Sequence, residues 1–295
     1  TKHQKTSLKG CFNDNEKDTF KFFDGKDGYE RSLKIYLNKI SYGQFELVNI
    51  FPQYNENTGK IVTYKAKNNR AFYENSPDIF ISEVAQDLKS SGKIGNDVIL
   101  DYNNDKCIDN FTMVIADDDA QSGGTSFKAN FGGSISINGT SIASYNLLTE
   151  SSAYGSLKES SVIIHEFLHT LGYPDLYRGG NDSGLPIGTW DIMSATHYMV
   201  QYPLAYFRAS KTNFFSIPTI TESKSKYSLY AASRADYNTR NNQAIILKTE
   251  YSDTEFFVLE YRKREVDNGN SIDARVPGSG LIIYRINTAS ETNKK

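Results

Sequence analysis

Residues 165–175 read His-Glu-Phe-Leu-His-Thr-Leu-Gly-Tyr-Pro-Asp, and this stretch restricts fold and chemistry more tightly than any other in the 295-residue chain. On a helix, residues four apart lie on one face, a turn apart. His165 and His169 can therefore bring two imidazole nitrogens to the about 2.0–2.1 Å that a zinc ion requires. Glu166 stands next to the first of them, so its carboxylate can reach a water that such an ion acidifies and accept its proton. A catalytic zinc takes three protein ligands and keeps one position open. Gly172 tolerates the left-handed backbone that ends a helix and reverses the chain. Pro174 stiffens the segment, and Asp175 follows, so Asp175 is the expected third ligand. The plain alternative for Asp175 is a turn or capping aspartate. For the whole stretch it is an ordinary amphipathic helix, with Val162, Ile163, Phe167, Leu168 and Leu171 in a core and the histidines exposed. Against that, the chain has four histidines and this motif takes two of them.

Composition excludes several other classes. Hydrophobic content of 38% and charged content of 23% describe a globular chain. Its length suits one large domain with a smaller one appended. A net charge of -2 and a pI near 6.1 provide no general attraction to nucleic acid or to an anionic membrane. No apolar run reaches membrane-spanning length. The polar start, Thr1 to Lys5, carries no signal peptide, which does not argue for a cytosolic protein. Cys11 and Cys107 can pair, but neither has a Cys-x-x-Cys metal or redox spacing.

Along the chain, residues 1–29 read as a poorly ordered N-terminal extension, either a propeptide remnant or a mature terminus. Residues 30–215 form the expected catalytic domain, and residues 216–295 a β-rich segment. Leu33, Ile35 and Leu37 alternate with polar neighbours and predict a strand. Tyr42-Gly43 predicts a turn, and residues 45–51 and 60–66 predict two further strands. Ser76-Pro77-Asp78 predicts a helix start with a capping hydroxyl. That helix carries Ile79, Phe80, Val84 and Leu88 toward a core and stops at Gly92. Residues 98–100 and 111–116 read as strands. Residues 132–148 read as a hairpin split at Asn138-Gly139. Helices are expected over about 156–171 and 203–211. Beyond Pro218 come strands such as 243–248, 255–261 and 280–286.

The motif from His165 to Asp175, followed by Gly188-Thr189-Trp190-Asp191-Ile192-Met193-Ser194, resembles the immune inhibitor A family of bacterial metallopeptidases, which are metzincin-like enzymes. Softer similarities lie at Ser41-Tyr42-Gly43, at Asp101 to Asp109, at Phe256 to Arg262 and at Pro277 to Leu281, so the likeness covers roughly residues 30–287. It implies an α+β zincin fold: a twisted mixed sheet, a backing helix, an active-site helix and a methionine turn at Met193, followed by the β-rich segment. It also implies a secreted zinc metalloendopeptidase with Glu166 as general base, acting on protein or peptide substrates. The wider metzincin pattern places a histidine as third ligand. The narrower family shares the aspartate found here at Asp175. Asp191 is a rival carboxylate, and its expected role is to hydrogen-bond within the turn. Tyr198 and His197 follow the methionine and are candidate stabilisers of the transition state.

Asp101, Asn103, Asp105, Cys107 and Asp109 have the ligand rhythm of a structural Ca²⁺ loop, with Cys107 offering its carbonyl. Lys106 and Thr112 depart from that pattern, and an Asx-rich turn is the alternative. The stretch from about Ser126 to Ile137 is the candidate sheet edge that would hold a substrate as an added strand. The expected chain is a monomer without a membrane span. Two rival functions remain open: a zinc exopeptidase or cell-wall peptide amidase, and a non-catalytic secreted binding module with a structural zinc. An intact Glu166 argues against the last.

Overall fold

The computed structural model describes residues 3–10, 22–25, 29, 31–52, 54–55, 60–61, 64–73, 76–115, 127–149, 160–178, 184–196, 200–220, 226–266 and 271–289. Helices and several sheets are mixed along the chain, an α+β architecture. The chain divides into two compact units, residues 1–37 with 45–170 and residues 38–44 with 171–295.

The first unit is built on a five-stranded sheet. Its elements in chain order are β1 (His3–Gly10), α1 (Leu33–Ile40, whose last turn falls in the second unit), β2 (Phe45–Ile50), the β3 (Tyr54–Asn55) and β4 (Lys60–Ile61) pair, α2 (Arg70–Tyr73), α3 (Pro77–Ser91), β5 (Asn110–Ile115), β6 (Phe127–Asn130), β7 (Ser136–Ile137), β8 (Thr140–Ser141), β9 (Ser144–Thr149) and α4 (Ser161–Thr170). The strand order is β2-β1-β5-β9-β6. Neighbours are parallel except at the edge, where β6 runs antiparallel to β9. Side chains alternate between the faces of a strand. Phe111 and Met113 of β5 and Tyr145 and Leu147 of β9 thus share a face, and they form one core with Phe80, Ile81, Val84, Ala85 and Leu88 of α3. The opposite face carries Asn110, Thr112 and Asn146. There Asn110 Nδ2 donates to Thr170 Oγ1 of α4 at 2.9 Å, so α3 and α4 cover the two sides of the sheet.

Several expectations are corrected here. Residues 33–40 are a helix and not a strand: the buried set is Leu33, Tyr36, Leu37 and Ile40, a spacing of three, four and seven that only a helix places on one face. Within the expected N-terminal extension, the described residues include the strand β1 and the pair Phe22 and Phe23. β1 is an interior strand, paired on both sides, and Phe22 and Phe23 are fully buried. Its sequence, with Leu8 as its single aliphatic residue, carries no apolar alternation, so backbone pairing places it. In α3 the inward residue is Ile81, while Ile79 is 48% exposed. Ser76 makes no side-chain cap; the Asp78 carboxylate instead accepts from the Gly132 N–H and the Tyr145 hydroxyl. Residues 64–66 leave the expected strand because the Tyr64 hydroxyl and the Lys67 N–H turn to Glu83 of α3. Residues 98–100 are not a strand; they follow a turn at residues 96–97 that the Val98 N–H closes by bonding to Gly95 O. The Asn138-Gly139 turn is as expected, both residues having positive φ, 50° and 84°.

The second unit contains α5 (Ala205–Thr212) and a four-stranded sheet of β10 (Thr219–Ile220), β11 (Ala244–Thr249), β12 (Ser252–Arg262) and β13 (Gly280–Asn287) in that order. β10 and β11 are parallel and the remaining pairs antiparallel. β12 turns Val258, Glu260 and Arg262 inward. α5 lies on this face: the Ala205 N–H donates to Glu260 Oε2 at 2.9 Å, and the Tyr206 and Phe256 rings stand 5.6 Å apart. Among the described residues, no helix is long and apolar enough to cross a membrane.

Candidate metal centre

α4 presents its motif as helical spacing requires. His165 and His169 sit one turn apart with ring centroids 4.8 Å from each other and planes at 89°. His165 is 5% exposed and Glu166, its neighbour, 7%. The expected bland helix with exposed histidines is therefore not what forms. Thr170, at the last turn, is tied to Asn110 of the sheet, which fixes the end of α4 beside His169. The Asn110 carboxamide accepts in turn from Thr112 Oγ1 at 2.6 Å, and Thr112 accepts from Asn146 Nδ2 at 3.3 Å. Such buried polar groups are tolerable only when bonded.

Gly172 follows with φ of 84°, a left-handed conformation that a Cβ would strain even though the space around it is open. The reversal brings Asp175 back toward the helix end. One ligand atom from each of His165, His169 and Asp175 lies within 4.8 Å of the others, all contributed by one continuous local segment. Two imidazoles and one carboxylate form the donor set of a three-ligand zinc site with an open fourth position. The residues present therefore fit the ion in number and type, and their ligand atoms lie near enough to one another that they could hold it.

Past Asp175, the Leu176 N–H donates to Met193 O at 2.9 Å, which joins this segment to the turn around Met193. Met193 is buried at 1% exposure. Asp191 organises the turn: Oδ1 accepts from the Met193 N–H and Oδ2 from the Leu204 N–H, each at 2.7 Å. Both of its oxygens are thus engaged by backbone, the hydrogen-bonding role expected of it. Burial pushes the Asp191 carboxyl up to about 6, against the pull of the Leu204 and Met193 N–H groups and of Arg262.

The remaining predicted residues fare differently. His197 and Tyr198 lie outside the described residues, as does Cys11, the suggested partner of Cys107. Asp101, Asn103, Asp105, Cys107 and Asp109 lie in one loop, in which several carboxylate oxygens accept from the loop's own backbone. Asp101 accepts from the Asp105 and Lys106 N–H groups, Asp105 from Cys107 and Asp109 from Tyr102. Among the described residues, His165, His169 and Asp175 are the group of three or more His, Cys, Asp or Glu side chains whose ligand atoms converge.

Sequence reasoning missed several buried polar groups. Arg208, Glu260, Arg262 and Asp273 are all buried, and Asn110 reaches Thr170. One signal was legible: Glu260 and Arg262 share the parity of Val258 in an alternating strand, which aims two charges inward. No protein-family model and no curated protein matches this chain.

Proposed function

We propose that the chain is a secreted zinc metalloendopeptidase of metzincin type, similar to the immune inhibitor A peptidases. The observation that carries this reading is the convergence of His165, His169 and Asp175 to within 4.8 Å, with Glu166 buried beside the first ligand. These three side chains would hold the zinc. When bound, the ion supplies a Lewis acid that acidifies a water and polarises a carbonyl. Glu166 takes a proton from the attacking water on its carboxylate and delivers it to the amide nitrogen as the C–N bond breaks. The antiparallel edge strand β6 offers its backbone to a substrate laid alongside it as a further strand. The Met193 turn supports the Asp175 segment through the bond to Leu176.

The test pairs metal content with cleavage mapping on an unstructured casein substrate. The wild type should cut internally, stop on zinc chelation and recover with added zinc. Glu166→Ala should keep its zinc and lose about 10²–10⁴-fold or more of turnover. Cleavage by Glu166→Ala at the wild-type rate would sink the mechanism. Trimming from chain ends alone would move the reading to an exopeptidase.

A further inference from the structure

Arg208, Glu260 and Arg262 are 0% exposed and Asp273 1%, a cluster of charges sealed inside the second unit. Arg262 uses the full fork of its guanidinium. Nε and Nη2 donate to the two Asp273 oxygens at 2.9 and 2.6 Å, Nη1 donates to Trp190 O at 2.9 Å, and Nη2 also reaches Tyr202 O at 3.2 Å. Glu260 Oε1 stands 3.6 Å from Nη1. Asp273 accepts a further bond from the Tyr202 N–H at 2.9 Å. Its backbone is held at φ of 64°, a left-handed conformation that aspartate and asparagine adopt more readily than most non-glycine residues.

A buried ion cluster is a weak source of stability, because losing water offsets the attraction between the charges. What a planar, bidentate guanidinium provides is fixed geometry. Here it grips the chain on both sides of the Met193 turn, at Trp190 and at Tyr202. From Trp190 the bonded path continues through Asp191 to the Met193 N–H, and from Met193 O to the Leu176 N–H, next to Asp175. We infer that Arg262, clamped by Asp273, is a positioning residue for the ligand Asp175: it fixes the turn on which the Asp175 segment is hung. The inference rests on the metal reading above.

The experiment measures zinc affinity by competition with a chromophoric chelator, and the visible absorption of the Co²⁺-loaded chain. The proteins compared are the wild type, R262K, D273N, D175A and the R262K/D175A double variant. A lysine keeps the charge but not the fork. R262K should retain its circular dichroism and cooperative unfolding, bind zinc about 10- to 100-fold more weakly and show altered Co²⁺ bands. The double variant should bind no more weakly than D175A, because both changes remove the same contribution. Unchanged zinc affinity in R262K, or additive losses in the double variant, overturns the inference and leaves the metal reading intact. A wild type that takes up neither metal overturns the metal reading itself. Should R262K not fold, D273N, which keeps the guanidinium and one acceptor, carries the same comparison. Failure of both to fold makes the cluster a stability element and overturns the inference.

Discussion

At the scale of single residues, Asp191 links the turn to pH. Its carboxyl is pushed up to about 6 by burial, while its ordinary value is 3.8. A carboxyl whose folded value is raised favours folding in its protonated form. The stabilisation is therefore complete below about pH 4 and is lost as pH rises through about 6, a total of about 3 kcal/mol. Asp191→Asn does not titrate, and its amide offers one acceptor where two N–H donors must be met, so it should cost about 1–3 kcal/mol. Urea unfolding from pH 4 to pH 7 should show the gap between wild type and Asp191→Asn narrowing as pH rises; a gap that widens contradicts the assignment. The same residue shows what was legible. His165, Glu166, His169 and Asp175 were readable because helix period and a glycine reversal bring them together within eleven residues. Asp191 was readable as a hydrogen-bonding group, but its second partner, the Leu204 N–H, is a contact that spacing does not reveal. Arg262 and Asp273 were unreadable as a pair, because their meeting depends on how β12 and the following turn fold back.

At the scale of elements, periodicity was a good guide where the apolar set was long and an unreliable one where it was short. Leu33, Ile35 and Leu37 imitate a strand until Tyr36 and Ile40 are counted with them, and the burial pattern then selects the helix. In α3 the placement was right for Phe80, Val84 and Leu88, and Ile79 alone was misassigned. Phe80, Ile81, Val84, Ala85 and Leu88 pack on the sheet, and Ile79 points outward. That difference is measurable. Ile81→Ala should destabilise by about 2–5 kcal/mol, because it removes fully buried methyl groups and leaves a cavity. Ile79→Ala should change stability by under about 1 kcal/mol. Chemical denaturation of the two variants decides which isoleucine is buried, and equal losses would refute the burial seen here. The helix start offers a parallel lesson. An Asp in a first turn reads as a dipole or cap effect, yet Asp78 is used by Gly132 and Tyr145, and the Tyr145 phenol is pushed up to about 12 by burial and that carboxylate.

At the scale of the whole molecule, strand order escapes local reading altogether. β1 has the composition of a surface segment and sits between β2 and β5, because its backbone completes ladders on both sides that side-chain pattern does not announce. The proposed metal site has the opposite character: its residues are local, but the energetic effect of an ion there would belong to the folded chain. An unfolded chain does not hold two imidazoles and a carboxylate within 4.8 Å of one another, as the folded segment does. A ligand that binds only the folded form stabilises it by RT ln(1 + [L]/Kd), about 2.7 kcal/mol at a free concentration one hundred times Kd. For a chain of this size each kcal/mol corresponds to about 2–4 °C in Tm. Titrating zinc into metal-free protein should therefore raise the Tm by several degrees, progressively with concentration, and Ca²⁺ at the same concentrations should not reproduce the shift through these ligands. His165→Ala should abolish most of the response while leaving the metal-free Tm within a few degrees of the wild type. If the variant responds to zinc as the wild type does, the ion is binding elsewhere, and the histidine pair has lost its claim to the site.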